Sequence, residues 1–147
     1  MENDNQIVIT PEAKASLTTA AKWAKFIAIM GFIGIGFMVL MAFFFLAFGS
    51  TMFRTMAPPF GRMLVVIYPV LFFVMAALYF APILFLFRFA VRTQQAVVSD
   101  DPATMAEAFD WIKKYFRYIG ILIIILLGIY ALAIVGGIIA GIVAAVH

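Results

Sequence analysis

The chain has 147 residues, of which 67% are hydrophobic and 12% charged, with a mean hydropathy of +1.15. It is too apolar for a small water-soluble domain, which leaves much of its surface exposed and needs more charge to cover it. With no cysteine and a single histidine, His147, disulfides, thiolate catalysis and Cys-ligated metals are excluded. The net charge of +3 comes from lysines and arginines that flank apolar runs. They form no basic stripe, so nucleic acid is not expected as a partner.

Residues 1–10 read as a disordered N-terminus. Glu2, Asp4 and Glu12 as well as Lys14, Lys22 and Lys25 come before any apolar run, and no small-residue cleavage site follows the first run closely; a cleavable signal peptide is therefore not expected, and the N-terminus is expected to be retained. Thr10-Pro11 has the form of an N-cap followed by proline at the first helical position. From there Ala13, Leu17, Ala20, Ala24 and Ile27 recur at helical spacing, with polar residues between them. This helix runs into a first span at residues 26–48, giving a continuous helix over 11–48.

Residues 49–62 are expected to form a connector. It contains Met52, Phe53, Met56, Pro58, Pro59 and Phe60, which suits the outer membrane interface or, more sharply, a periplasmic partner surface. The second span, 63–87, contains Pro69 and Pro82. A proline inside a span frees a carbonyl that neighbours must satisfy. Transporters place substrate sites at such breaks, but with polar groups nearby; here the neighbours are Tyr68, Tyr79 and phenylalanines, so a kink without a binding role is the simpler reading. Tyr79 and Tyr130 sit within spans, where phenols need partners, and they are expected to bond each other or a freed carbonyl.

Ser99-Asp100-Asp101-Pro102 reads as a helix stop and restart, with Thr104 and Glu107 available as a capping box. Asp100, Asp101 and Glu107 form an acidic group that helix-start preference explains without a metal. Met105, Phe109, Ile112, Phe116 and Ile119 then make an apolar stripe leading into a third span at 119–146, and Asp110 stands one turn before Lys114. The segment 88–118 is thus a helical hairpin, and the helices are expected at 11–48, 63–98 and 102–146. About 20 apolar residues cross a bilayer, so helices of this length extend beyond it. They either protrude as a cytoplasmic stub or bend into the interface plane.

With the N-terminus inside, eight of the ten basic residues lie on the cytoplasmic side, as the positive-inside rule prefers. Trp23, Trp111, Lys113, Lys114 and Arg117 fall at that boundary as interface anchors, next to anionic headgroups. The expected fold is all-α: a transmembrane three-helix up-down-up bundle, N-in and C-out, in one membrane domain.

Tyr79-Phe80-Ala81-Pro82, then Phe87-Arg88-Phe89-Ala90, Asp100 and the run from Lys113 through Lys114, Tyr115, Phe116, Arg117, Tyr118, Ile119 and Gly120 to Ile121 occur in an order that carries a resemblance. From about Leu17 onward the chain resembles a bacterial family of small membrane proteins classed as a domain of unknown function. That resemblance implies a bacterial inner-membrane origin and this topology, and it implies no activity.

In the third span, Ala133, Gly137, Gly141 and Ala145 form a row of small residues, with Gly136, Ala140 and Ala144 alongside. Small residues let backbones approach closely in lipid. The row is expected either to bind a second copy or a membrane-protein partner, or to pack on the chain's own first helix at Ala20, Ala24, Ala28 and Gly31. The spans contain no Asp, Glu, Lys, Arg or His, and neither enzyme chemistry nor ion-coupled transport is expected without them. The sequence therefore points to a non-enzymatic scaffold or accessory subunit without cofactor or metal. The alternative is a homo-oligomeric channel with an apolar lumen gated by wetting.

Overall fold

Three long helices build the chain: α1 (Pro11–Met56), α2 (Gly61–Ser99) and α3 (Pro102–Val146). The structure, a computed structural model, describes residues 9–56 and 61–146. With 46, 39 and 45 residues, the helices are about 58–69 Å long at 1.5 Å per residue. That is about twice the 30 Å hydrocarbon core of a bilayer. Each helix has a stretch long and apolar enough to cross a membrane, and these stretches bury little against protein. Phe37, Leu40, Ile124 and Leu132 are all at least 60% exposed. An unbroken apolar surface of this extent calls for lipid as its solvent, and helices satisfy their own backbones there. The chain is an integral membrane protein.

The helix boundaries follow local chemistry. Thr10 caps α1: its hydroxyl oxygen accepts the Ala13 N–H at 3.2 Å, and Pro11 needs no partner. Between α2 and α3, Asp100 takes a φ of 52°, in the left-handed region that Asp tolerates better than most residues. Asp101 then caps α3, accepting the Ala103 and Thr104 N–H groups at 3.1 Å each, while the Thr104 hydroxyl also donates to it. These bonds, the Thr104 hydroxyl first, hold the Asp101 carboxyl below its ordinary pKa. The expected Thr104–Glu107 capping box is therefore replaced. With Pro102 at the first helical position, Asp101 is the residue in reach of the open amides, and Glu107 turns to α2.

One boundary differs more. The connector expected at 49–62 is helical over Gly49–Met56 and again at Gly61 and Arg62; Pro58, Pro59 and Phe60 lie outside the described residues. Gly49 does not break α1 because it is buried at a place where backbone approach matters. One turn on, Phe53 stacks on Phe45 at 6.0 Å and on Tyr68 of α2 at 5.3 Å. Phe45 in turn stacks on Tyr68 and Phe72. This aromatic stack fastens the end of the α1–α2 pair and keeps Phe53 out of an open loop.

α2 is the shared element. It contacts both neighbours, whereas α1 and α3 have no Cα approach within 8 Å among the described residues. Contacts from Lys14–Asp100 through Phe32–Phe80 to Phe53–Tyr68 pair rising numbers on α1 with falling numbers along α2 and the turn that follows it. The inward face of α1 runs through Leu17, Ala21, Ala24, Ala28, Gly31, Ile35, Met38, Ala42, Phe45 and Gly49. Alternating steps of four and three make this a coiled-coil seam, and its small residues allow close approach. A Cβ on Gly31 would stand 2.7 Å from Ile83 Cδ1. The seam is rotated from the expected stripe: Ala20 and Ile27 are exposed, and Ala21 and Ala28 are fully buried.

The α3 stripe shifts in the same way. Met105 and Ala108 are buried against α2, while Phe109 and Phe116 face outward. Apolarity does not mark the inside of a helix whose solvent is itself apolar; small volume does. The three helices come together in one cluster of Ala24, Phe89, Ala90 and Ala108, extended by Leu86, Trp111 and Ile112. Thr93 and Ala96 are buried at this same converging end. Beyond it α3 parts from the pair: every residue from Ile123 to Val143 is exposed.

Candidate functional site

Three features carry the residue types that contribute more than apolar surface. The first is the free length of α3. Gly136, Gly137 and Gly141 have no neighbouring atom within 4 Å of where a Cβ would stand, and Ala133 is exposed. The side chain of Ala145 lies outside the described residues. The alternative that this row packs on the chain's own first helix is not what the structure shows. Ala24, Ala28 and Gly31 face α2, with Gly31 against Ile83, and α2 stands between α1 and α3. The row remains as a continuous small-residue face with no partner among the described residues.

The second feature is a cross-helix bond at a proline. Pro82 has no N–H to give the carbonyl four residues earlier, Leu78. The Tyr118 hydroxyl of α3 donates to that carbonyl at 3.0 Å. Its ring meets Phe85 edge-on at 6.3 Å. The expectation for Tyr79 and Tyr130 is not met: both are exposed, and the phenol that reaches the freed carbonyl is Tyr118. The acceptor is legible from the spacing to Pro82, whereas the donor depends on how α2 and α3 are aligned. Just past this bond, where α3 parts from α2, Met75, Leu78, Tyr79, Tyr118, Leu122 and Ile125 line part of an apolar crevice of about 310 Å³.

The third feature lies at the converging end and is polar. Phe87, Arg88, Val91 and Arg92 of α2 face Glu107 and Trp111 of α3 across a groove of about 420 Å³. Arg92 Nε pairs with Glu107 at 3.3 Å, and Lys114 with Asp110 at 2.7 Å. Trp111 stands between two cations: the Arg88 guanidinium 4.5 Å from its ring centre and the Lys114 ammonium at 4.4 Å. Such contacts contribute about 0.5–1 kcal/mol each when exposed. They fix the ring against Phe85, 6.0 Å away.

The other expected anchors sit apart from this groove. Trp23 is 63% exposed and meets Phe26 edge-on; Lys113 and Arg117 are exposed on α3. The acidic residues are separated by use: Asp100 pairs with Lys14, Asp101 caps α3 and Glu107 holds Arg92. Among the described residues no group of three His, Cys, Asp or Glu side chains is placed to hold a metal. Sequence reasoning named Trp111 and Lys114 as boundary residues and did not foresee that they share one ring contact with Arg88.

No protein-family model, curated protein or solved structure matches this chain.

Proposed function

We propose that this protein is a non-enzymatic scaffold or accessory subunit of a bacterial inner membrane, acting through contacts between membrane helices. It crosses three times, up-down-up, with the N-terminus and the converging helix end in the cytoplasm. The basic residues support this orientation: eight of ten fall on the inner side, each contributing about 1 kcal/mol near an anionic leaflet. The bacterial setting follows from the resemblance to a family of unknown function.

The observation that carries the reading is the free face of α3. Every residue from 123 to 143 is exposed, and at three glycines in this stretch a built Cβ would meet no atom of another helix within 4 Å. Van der Waals packing is the main attraction between helices in lipid, and it is strongest where small residues let backbones meet. A helix held away from its own chain with such a face is suited to a second copy or a partner's span. Gly137→Leu with Gly141→Leu removes the close approach while preserving insertion, because leucine partitions well into the bilayer. Ile138→Leu with Ile139→Leu is the control. Cross-linking in native membranes and pull-down after mild solubilisation should retain an assembly in the control and lose it in the glycine variant. Normal assembly of the glycine variant refutes the reading. Conductance of purified protein in liposomes would instead identify a pore.

A further inference from the structure

We propose that the groove between α2 and α3 at Arg88, Arg92 and Trp111 is a binding site for a phosphate group, presented by an anionic phospholipid. Arg88 and Arg92 stand one helical turn apart, on the same side of α2, and both wall the groove. Arg92 is held in place by Glu107 at 3.3 Å and by the Gln95 amide oxygen at 3.4 Å. Arg88 is held only by the face of Trp111 and forms no ion pair among the described residues. A guanidinium oriented by an aromatic ring keeps its in-plane donors open, and its planar fork matches phosphate oxygens.

The remaining walls are apolar: Phe87, Val91 and the Trp111 ring. Phe87 is the last residue of the second span, so the groove lies where that span reaches the headgroup layer. Cationic donors beside apolar walls at that depth fit a phosphate esterified to a tailed glycerol better than a fully hydrated anion. At about 420 Å³ the groove lies in the range of roughly 300–1,000 Å³ usual for small-molecule sites. Glu107 is the counterweight. Its carboxylate repels an incoming phosphate, so the site discriminates by charge and geometry instead of binding any anion tightly.

The depth of the groove rests on the membrane orientation proposed above; its affinity for phosphate does not, and a micelle assay separates the two. The chain has two tryptophans, so Trp23→Phe leaves Trp111 as the only indole reporter. That protein, in maltoside micelles, is titrated with short-chain phosphatidylglycerol, with phosphatidylcholine of the same chains, and with inorganic phosphate. Phosphatidylglycerol should change the Trp111 emission saturably, and phosphatidylcholine should bind about tenfold or more weakly. Arg88→Gln should weaken phosphatidylglycerol about tenfold, the usual effect of losing one charge-assisted hydrogen bond. Arg117→Gln should leave binding unchanged, and Glu107→Gln should tighten it. Inorganic phosphate binding much more weakly assigns the site to lipid; equal binding assigns it to the free anion and overturns the lipid assignment. Phosphatidylcholine binding as well as phosphatidylglycerol, or equal affinities for the Arg88 and Arg117 variants, overturns the site altogether.

Discussion

Tyr118→Phe isolates one atom of the α2–α3 contact. The ring and its edge-on contact with Phe85 remain, and only the hydroxyl that donates to the Leu78 carbonyl at 3.0 Å is lost. Elsewhere in a helix a carbonyl losing a side-chain partner keeps its own i+4 amide. Leu78 has none, because residue 82 is proline. The loss should therefore exceed the average for an interhelical bond in membranes, about 0.6 kcal/mol, and approach the upper measured value of about 1.7 kcal/mol. Pro82→Ala supplies the missing amide. In that background the same Tyr118→Phe change should cost only a few tenths of a kcal/mol, leaving a coupling of about 1 kcal/mol between positions 40 residues apart. Reversible unfolding in mixed dodecyl sulfate and maltoside micelles, followed by tryptophan emission, gives the four corners of the cycle. Equal costs of Tyr118→Phe in both backgrounds would show that Tyr118 does not compensate for the proline.

Gly31→Ala should destabilise the α1–α2 pair by about 1–3 kcal/mol, the usual cost of overpacking, because its Cβ would lie 2.7–3.2 Å from three atoms of Ile83, a β-branched side chain with little rotamer freedom in a helix. Gly34→Ala, with open space around it, should be neutral or slightly stabilising in the same unfolding assay. The cap at Asp101 should show a pH signature of definite sign: its folded pKa lies below the ordinary 3.8, so its contribution is complete above that value and is lost as pH falls through the lowered one. Protection of the Ala103 and Thr104 amides, measured as exchange relative to the intrinsic rate at each pH, should fall on acidification in the native chain, and in Asp101→Asn it should lose that dependence. For topology, reporter fusions at Gln95 should read cytoplasmic, and fusions at Thr55 and His147 external; a cytoplasmic reading at His147 removes the third crossing.

Much of the fold was legible in the residues, and the misses have a common cause. Three apolar runs bounded by Thr10-Pro11 and by Ser99-Asp100-Asp101-Pro102 placed the helices, because caps and prolines act locally. The facing of those helices was misjudged by about one residue: Ala20 was expected inside in place of Ala21, and Phe109 in place of Ala108, while Met105 is buried as expected and Phe116 is exposed. In water a phenylalanine stripe marks the core; in lipid it is equally at home outside, and the seam is marked by alanine and glycine. The α1 end was placed too early, at residue 48; in the structure Gly49 is buried in the seam and the helix continues through it. Tyr118 and the Arg88–Trp111 groove needed the register of α2 against α3, which no local pattern encodes. The free face of α3 was visible as a row of small residues, but its lack of a partner within the chain emerged only once α2 was seen to stand between α1 and α3.

The proposed function depends most on α3 acting as an outward-facing docking helix. Because the chain has no cysteine, single cysteines can be placed at will along it. Ala133→Cys, Gly137→Cys and Gly141→Cys lie on the small-residue face, and Val135→Cys, Ile139→Cys and Ile142→Cys lie on the opposite face of the same helix, at 100° per residue. Each is coupled to a photoreactive benzophenone in native membranes and irradiated. A docking helix should give protein adducts, with a second copy or one discrete partner, at 133, 137 and 141, and lipid adducts at 135, 139 and 142. Lipid adducts at all six positions, or protein adducts only on the opposite face, would contradict it.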